Sequence, residues 1–279
     1  MAEAVAERVR RYILDGSDED LRRLLGIAEI SAEMARAAFG RLGVQPGWTA
    51  IDCGCGPIGG LAVMAETVGP AGRVIGVDFN PAAVQRARAV VSALELGNVE
   101  VVAGDLHELD PAALGGPFDL AYSRLFLMHQ ADPVRTLRRI AGLLRPGGWL
   151  VAQEPLPSPP PRSHPHLEAV TGAWDLWREL LHRTGVPAGA VEDLPRSAGQ
   201  AGFEVTAAYG SFLVDDPKPG FEQYAATLAT VRERGIQSGI AAERIDGLVR
   251  DLRAAEDGEY EWTTSPFYLG LALHKPAAR

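Results

Sequence analysis

Lysine, cysteine, net positive charge and long apolar runs are scarce in this sequence, and each shortage excludes something. Of 27 basic residues only Lys218 and Lys275 are lysine, while Ala, Gly and Pro are abundant, a bias typical of a GC-rich bacterial genome. The two cysteines, Cys53 and Cys55, stand one residue apart inside a glycine turn. Neither a relaxed disulfide nor a four-ligand metal site is readily built there, so both read as small, packable residues. His164 and His166 have metal-compatible spacing but no accompanying cluster of acids or cysteines, so they read as surface histidines and no metal is expected. A formal charge of -9 lacks the basic face that broad nucleic-acid binding needs, which leaves small molecules as the expected partners. No apolar run reaches the roughly 20 residues needed to span a bilayer. Met1-Ala2-Glu3 opens a charged helical pattern and not a signal peptide, so a cytoplasmic protein is expected.

What is present is enough for a core: 279 residues, 47% of them hydrophobic, suffice for one large or two small domains. Residues 3 to 42 read as helices, with Val5, Val9, Tyr12 and Ile13, then Leu21, Leu24 and Leu25, at helical spacing, and with Ser17 and Asp20 resembling a capping box. After Pro46-Gly47 the rhythm changes. Short apolar runs at Thr49 to Asp52, Val74 to Asp78, Val99 to Ala103, Phe118 to Tyr122 and Trp149 to Ala152 alternate with helical stretches, the pattern of an α/β, doubly wound, mostly parallel sheet. The proline-rich run from Pro155 to Pro161 can continue neither strand nor helix and reads as a linker. Beyond it come a helical segment with Trp174, Trp177 and Leu180, a strand from Phe203 to Phe212, a helical segment from Phe221 to Ala255 and a last strand near Phe267 to His274. The Trp stripe reads as core, and as a pocket wall too if its helix closes over a site. The expected division is a helical lid over 1–43, a binding core over 44–154, a linker and helical cap over 155–202, and C-terminal strands over 203–279 with a helical insertion at 217–260.

Gly54, Gly56 and Gly59 follow the first strand and precede a helix, which taken literally spells the dinucleotide fingerprint G-x-G-x-x-G. Asp52 argues otherwise. A carboxylate at the mouth of the turn suits a ligand carrying an amino group and a sulfonium but repels a pyrophosphate. Asp78, 22 residues beyond Gly56 at the tip of the second strand, can accept from both ribose hydroxyls and fits either cofactor. Asp105 ends the third strand and can accept from an adenine amine. Pro117 to Arg124 forms a fourth strand, and Leu144-Arg145-Pro146-Gly147-Gly148 reads as a tight turn feeding the fifth.

This ordered set resembles the class I S-adenosylmethionine-dependent methyltransferases, particularly UbiE-like small-molecule enzymes and their actinobacterial natural-product relatives, over roughly residues 44 to 154. The resemblance implies a seven-stranded Rossmann-like sheet whose helical N-terminus and late insertions cap the substrate, with S-adenosyl-L-methionine as cofactor. It implies that Asp52, Gly54, Cys55 and Gly56 approach the methionine part, that Asp78 holds the ribose, and that Phe79 borders the adenine. Asp105 and Leu106 would meet the adenine edge, Ser123 and Arg124 would line the methionine and the methyl-transfer channel, and Tyr12 would approach from the N-terminal helices. One departure is Ile58, where the family often has a third glycine, with Gly59 as the candidate substitute.

Methyl transfer from a sulfonium is an in-line displacement that asks little of side chains beyond alignment in a dry pocket. A phenol or alcohol acceptor would need a base, for which His129 and Glu154 are the candidates; an amine or nucleophilic ring carbon needs none. The competing readings are a helix-boundary histidine for His129 and a solvated carboxylate before the prolines for Glu154. The Trp, Leu and Phe content of 160–200 and 217–260 points to an apolar or aromatic acceptor. Three rivals stay open: an NAD-dependent oxidoreductase, whose nicotinamide half residues 155–279 do not obviously provide; a cyclase that binds S-adenosylmethionine without transferring its methyl; and a non-enzymatic regulator. A homodimer is left open as well.

Overall fold

Strands and helices alternate from Thr49 onward, as the alternation of apolar runs predicts. The computed structural model describes residues 19–186, 189 and 191–277; Tyr12 and the Ser17 cap lie outside the described residues. Two compact units result, one comprising the chain up to Glu154 with Asp193–Tyr209 and the segment from Leu269, the other comprising Pro155–Glu192 and Gly210–Tyr268.

The first unit contains α1 (Glu19–Leu42), β1 (Thr49–Cys53), α2 (Leu61–Val68), β2 (Arg73–Asp78), α3 (Pro81–Ala93), β3 (Val99–Ala103), β4 (Phe118–Arg124), a single 3-10 turn (Leu127–His129), α4 (Pro133–Leu143) and β5 (Leu144–Pro155). The second opens with β6 (Ser163–His164) and α5 (Glu168–Arg183), and the chain then returns to the first for α6 (Leu194–Gln200) and β7 (Glu204–Ser211). After β8 (Val214–Asp215), α7 (Pro217–Gln237), α8 (Ala242–Ala255) and β9 (Trp262–Thr264), β10 (Tyr268–His274) completes the large sheet.

Its seven strands run in the order β3-β2-β1-β4-β5-β10-β7, and the pairs β2–β3, β1–β2, β1–β4 and β4–β5 are parallel. Central strands of such a sheet are covered on both faces, which is why they read as nearly continuous apolar runs. Because side chains alternate, Ile51, Cys53, Ile75 and Val77 pack with Leu137 and Ile140 of α4, whereas Ala50, Val74, Leu120 and Tyr122 pack with Phe39 of α1 and Met64 of α2. Asn80 and Asp132 cap α3 and α4 by accepting the Ala82 and Arg135 N–H groups, each followed by a proline at the first helical position.

Four features depart from the expected layout. Leu144 to Gly148 is not a turn that precedes β5 but a bulge within it: Phe118 faces Leu144, yet Leu120 already faces Trp149. Gly147, at φ +79, makes this irregularity feasible, and its N–H and the Gly148 carbonyl pair with the carbonyl and N–H of Lys275. The long helical segment from Phe221 to Ala255 is two helices, because the chain leaves α7 through Gly239 at φ +89. α6 and the small sheet β6-β9-β8 were not anticipated, being too short to display a period.

The second unit is built around α5, α7 and α8, with Leu176, Phe221, Leu228, Ile245 and Leu252 in its core. Trp174 is buried there, stacked on Trp177 at 4.4 Å, and its indole N–H donates to the Pro157 carbonyl at 3.1 Å. His164 stacks on Trp262 and His166 pairs with Glu168. Among the described residues no helix is long and apolar enough to cross a membrane, and no group of three His, Cys, Asp or Glu is placed to hold a metal.

Candidate active site

The carboxyl ends of β1, β2 and β3 bring Asp52, Asp78 and Asp105 side by side along one rim of the sheet, since Cys53 pairs with Val77 and Asp78 with Ala103. Between β1 and α2 the chain makes its glycine turn. The Gly54 and Cys55 N–H groups both donate to the Val77 carbonyl at 2.9 Å. Gly56 N–H donates to Asp78 Oδ2 at 2.8 Å, and Gly60 N–H to Asp52 Oδ2 at 2.6 Å. Two carboxylates thus strap the turn to the sheet that precedes and follows it.

Gly54 and Gly56, at φ +73 and +56, take the left-handed conformation that glycine adopts without penalty. Gly59 supplies what the missing third glycine would: a β-carbon there would collide with the Cys55 carbonyl and lie 2.6 Å from Asp52 Oδ2, while Ile58 is tucked into the interior. A β-carbon at Gly54 would strike the Phe126 ring, and one at Gly60 would strike Tyr122. Gly56 differs. Among the described residues nothing lies within 4 Å of a β-carbon there, so the turn has one bare face, at the residue held by Asp78.

Around that face the electrostatics are negative. Asp52 is 1% exposed, and burial pushes its carboxyl up to about 6 against the opposing pull of the Gly60 N–H and of Arg124. Asp78 is half-buried and also accepts the Asn80 N–H at 2.9 Å. Phe79 beside it is 77% exposed, a large apolar ring left in solvent. Asp105 is exposed and accepts the His107 N–H at 2.8 Å, with Leu106 buried behind it. Cys55 offers the turn its backbone and not its thiol, which packs against Gly76; burial pushes the thiols of Cys53 and Cys55 well above the usual range. At the end of β4, Ser123 is fully buried with its hydroxyl unpartnered among the described residues, and Arg124 Nη1 donates to Ser31 Oγ at 3.0 Å and to the Ile27 carbonyl at 3.2 Å. This tie of α1 to β4 had no signal in sequence.

The two base candidates fare differently. His129 is the last residue of the 3-10 turn and is exposed, so the helix-boundary reading describes its backbone. Glu154 is not the solvated carboxylate its proline-rich neighbourhood suggested. It is fully buried, and its oxygens accept the N–H groups of Phe126, Leu127 and Met128 at 3.1, 2.8 and 3.4 Å. Burial pushes it up to about 7 in spite of those donors and Arg124. Its oxygens are engaged by the turn, and the side chain has no exposed surface.

These residues fit S-adenosylmethionine and fit a dinucleotide poorly. A dinucleotide fold seats pyrophosphate on the free N–H groups where the helix begins. Here the N-cap amide, Gly60, is taken by the protein's own Asp52. A buried carboxylate at that place welcomes a cation, the bare face at Gly56 leaves room for close approach, and Asp78 and Phe79 offer an acceptor and an apolar plane to a nucleoside.

Comparison with known proteins agrees. Residues 45–199 match the family described as a methyltransferase domain. Nocamycin O-methyltransferase of Saccharothrix syringae is 31% identical over 205 residues, covering 63% of this chain and 69% of that protein. An uncharacterized 37.1 kDa protein in transposon TN4556 of Streptomyces fradiae is 37% identical over 164 residues, covering 59% of this chain but 46% of its relative, so the matched segment spans about half of that protein's length. Among solved structures, that of the [4+2]-cyclase SpnF superposes with a TM-score of 0.57 at 21% identity, covering 88% of this chain and 82% of that one, a likeness of fold. With the motifs, the sheet order and a family match over more than half its length, the chain belongs to the methyltransferase-domain family.

Proposed function

We propose that this protein transfers a methyl group from S-adenosylmethionine to a small, apolar or aromatic acceptor. The observation that carries the reading is the bare face at Gly56, flanked by buried Asp52, by Asp78 and by solvent-exposed Phe79. When bound, S-adenosylmethionine supplies a methyl on a positively charged sulfur. Asp52 provides the negative charge that suits the ammonium of the methionine part, and a cation beside it would favour its ionised form. Asp78 accepts from the ribose hydroxyls with the lone pairs its two backbone donors leave free. Phe79, Asp105 and Leu106 border the adenine, and Ser123 and Arg124 line the methionine side.

Catalysis in this reading is mainly alignment: holding the two reactants in line, away from water, is worth effective molarities of about 10⁵ to 10⁸ M. For a hydroxyl acceptor His129 is the candidate base, and the likeness to an O-methyltransferase supports a hydroxyl. The test is mass spectrometry after incubation with methyl-labelled S-adenosylmethionine and a panel of phenolic, enolic and amine metabolites. A small-molecule product that gains one labelled methyl supports the reading. A product altered without that gain means a cyclase, and labelling confined to protein or nucleic acid contradicts the assigned acceptor class.

A further inference from the structure

The chain leaves β4 through Leu125, which sits at φ +53, a left-handed conformation that a leucine adopts only at a cost. Such a residue persists when its surroundings over-determine it, and these do. The Leu125 N–H donates to the Gln153 carbonyl at 3.1 Å, one residue before Glu154. Next, three successive N–H groups, those of Phe126, Leu127 and Met128, point at the Glu154 carboxylate. The first residues of a 3-10 turn have no N–H acceptors within the turn, and here one buried side chain serves them all. Phe126 in turn accepts at its carbonyl from the His129 N–H and from the Gln130 side chain, each at 3.1 Å. Its ring, fixed at the start of this turn, lies directly on the α-carbon of Gly54.

We propose that Glu154 is a positioning residue: by capturing the N–H groups of Phe126, Leu127 and Met128 it holds the Phe126 ring against Gly54 and so sets the geometry of the turn that receives the methyl donor. This inference rests on the reading of that turn as the S-adenosylmethionine site. Glu154 lies at the end of β5 and acts on the turn after β1 only through β4's exit, so it touches neither reactant. The ionisable groups around it are Arg124 and Tyr122 on β4, with Asp52 on β1 facing the same guanidinium. Protonating the carboxyl puts an O–H on one oxygen and removes the charge that strengthens all three bonds, leaving a neutral acceptor at the other, so the ring is held best when Glu154 is ionised.

Glu154→Gln is close in shape; it keeps an oxygen for Phe126 and Leu127 but turns an NH₂ toward Met128. The measurement is calorimetric titration of S-adenosylhomocysteine into wild type, Glu154→Gln, Phe126→Ala and the double variant at pH 6 and pH 8, with thermal unfolding recorded on each. Glu154→Gln should weaken binding on the order of ten-fold, the loss expected when a charged acceptor of buried N–H groups is neutralised. It should also shrink the gain in affinity expected of wild type between pH 6 and pH 8, leaving the part that Asp52 contributes. Because Glu154 acts through Phe126, the same substitution should have little further effect once the ring is gone. Losses that simply add in the double variant, or unchanged affinity in a Glu154→Gln protein that melts earlier, overturn the proposal and leave Glu154 with stability alone. Absence of binding by wild type would instead remove the reading of the turn as a methyl-donor site.

Discussion

Gly54 and Gly56 share a sequence motif and a backbone conformation, yet alanine at each should fail in a different way. At both positions the left-handed backbone costs alanine roughly 1–2 kcal/mol. At Gly54 the new methyl also collides with the Phe126 ring, and overpacking of that kind adds about 1–3 kcal/mol, so Gly54→Ala should lose about 2–5 kcal/mol of folding stability. At Gly56 nothing among the described residues lies within 4 Å of the new methyl, so the stability loss should stop at the backbone cost. Ligand affinity should show no such leniency. The bare face at Gly56 is where the donor is received, and a methyl there forces it away; a clash of about 1–3 kcal/mol corresponds to roughly 5-fold to 150-fold weaker binding. Urea unfolding and S-adenosylhomocysteine titration on both variants read the two effects separately. Wild-type affinity in Gly56→Ala, with its stability reduced as expected, would refute the placement of the donor against this face.

Three other outcomes follow from the same geometry. Asp78→Ala orphans the Gly56 and Asn80 N–H groups and removes the ribose acceptor, so it should weaken S-adenosylhomocysteine by ten-fold or more in titration; unchanged affinity would contradict the ribose assignment. Asp52 and Glu154 both have folded pKa values raised by burial, from 3.8 to about 6 and from 4.5 to about 7, so the folded state binds more protons than the unfolded one between about pH 4 and pH 7. Stability from these two groups is therefore present at low pH and lost as pH rises through that window, by about 3 kcal/mol each, and Asp52→Asn should flatten the decline measured by urea unfolding at stepped pH. His129→Ala should leave cofactor affinity unchanged while slowing methylation of a phenolic acceptor by roughly 10²-fold or more, and an unchanged rate would strike His129 from the mechanism.

The part of the site built from consecutive residues was legible in sequence. Asp52, the glycines, Asp78 and Asp105 all sit at the ends of strands whose apolar runs announce them, and a strand end fixes where the next side chain goes. Gly59 was legible as a substitute for the glycine missing at 58, and the structure shows why: it meets Asp52 and the Cys55 carbonyl. The partners contributed from afar were not legible. Nothing in Leu125 signals a left-handed residue, and nothing in the proline-rich run that follows Glu154 marks it as the acceptor for a turn 26 to 28 residues earlier in the chain. The tie of Arg124 to Ser31 likewise depends on how α1 lies against the sheet, a tertiary fact without a local pattern. The bulge in β5 reads as a turn because Arg-Pro-Gly-Gly has turn composition wherever it occurs; the pairing of Leu144 with Phe118 and of Gly147 and Gly148 with Lys275 keeps it inside the strand.

On the reading proposed above, the turn from Asp52 to Gly60 receives S-adenosylmethionine and not a dinucleotide. Parallel calorimetric titrations of the intact chain with S-adenosylhomocysteine and with NADH test it most directly. Saturable binding of S-adenosylhomocysteine at one site per chain, with no measurable heat from NADH, is the expected result. Saturable binding of NADH, with none of S-adenosylhomocysteine, would contradict it.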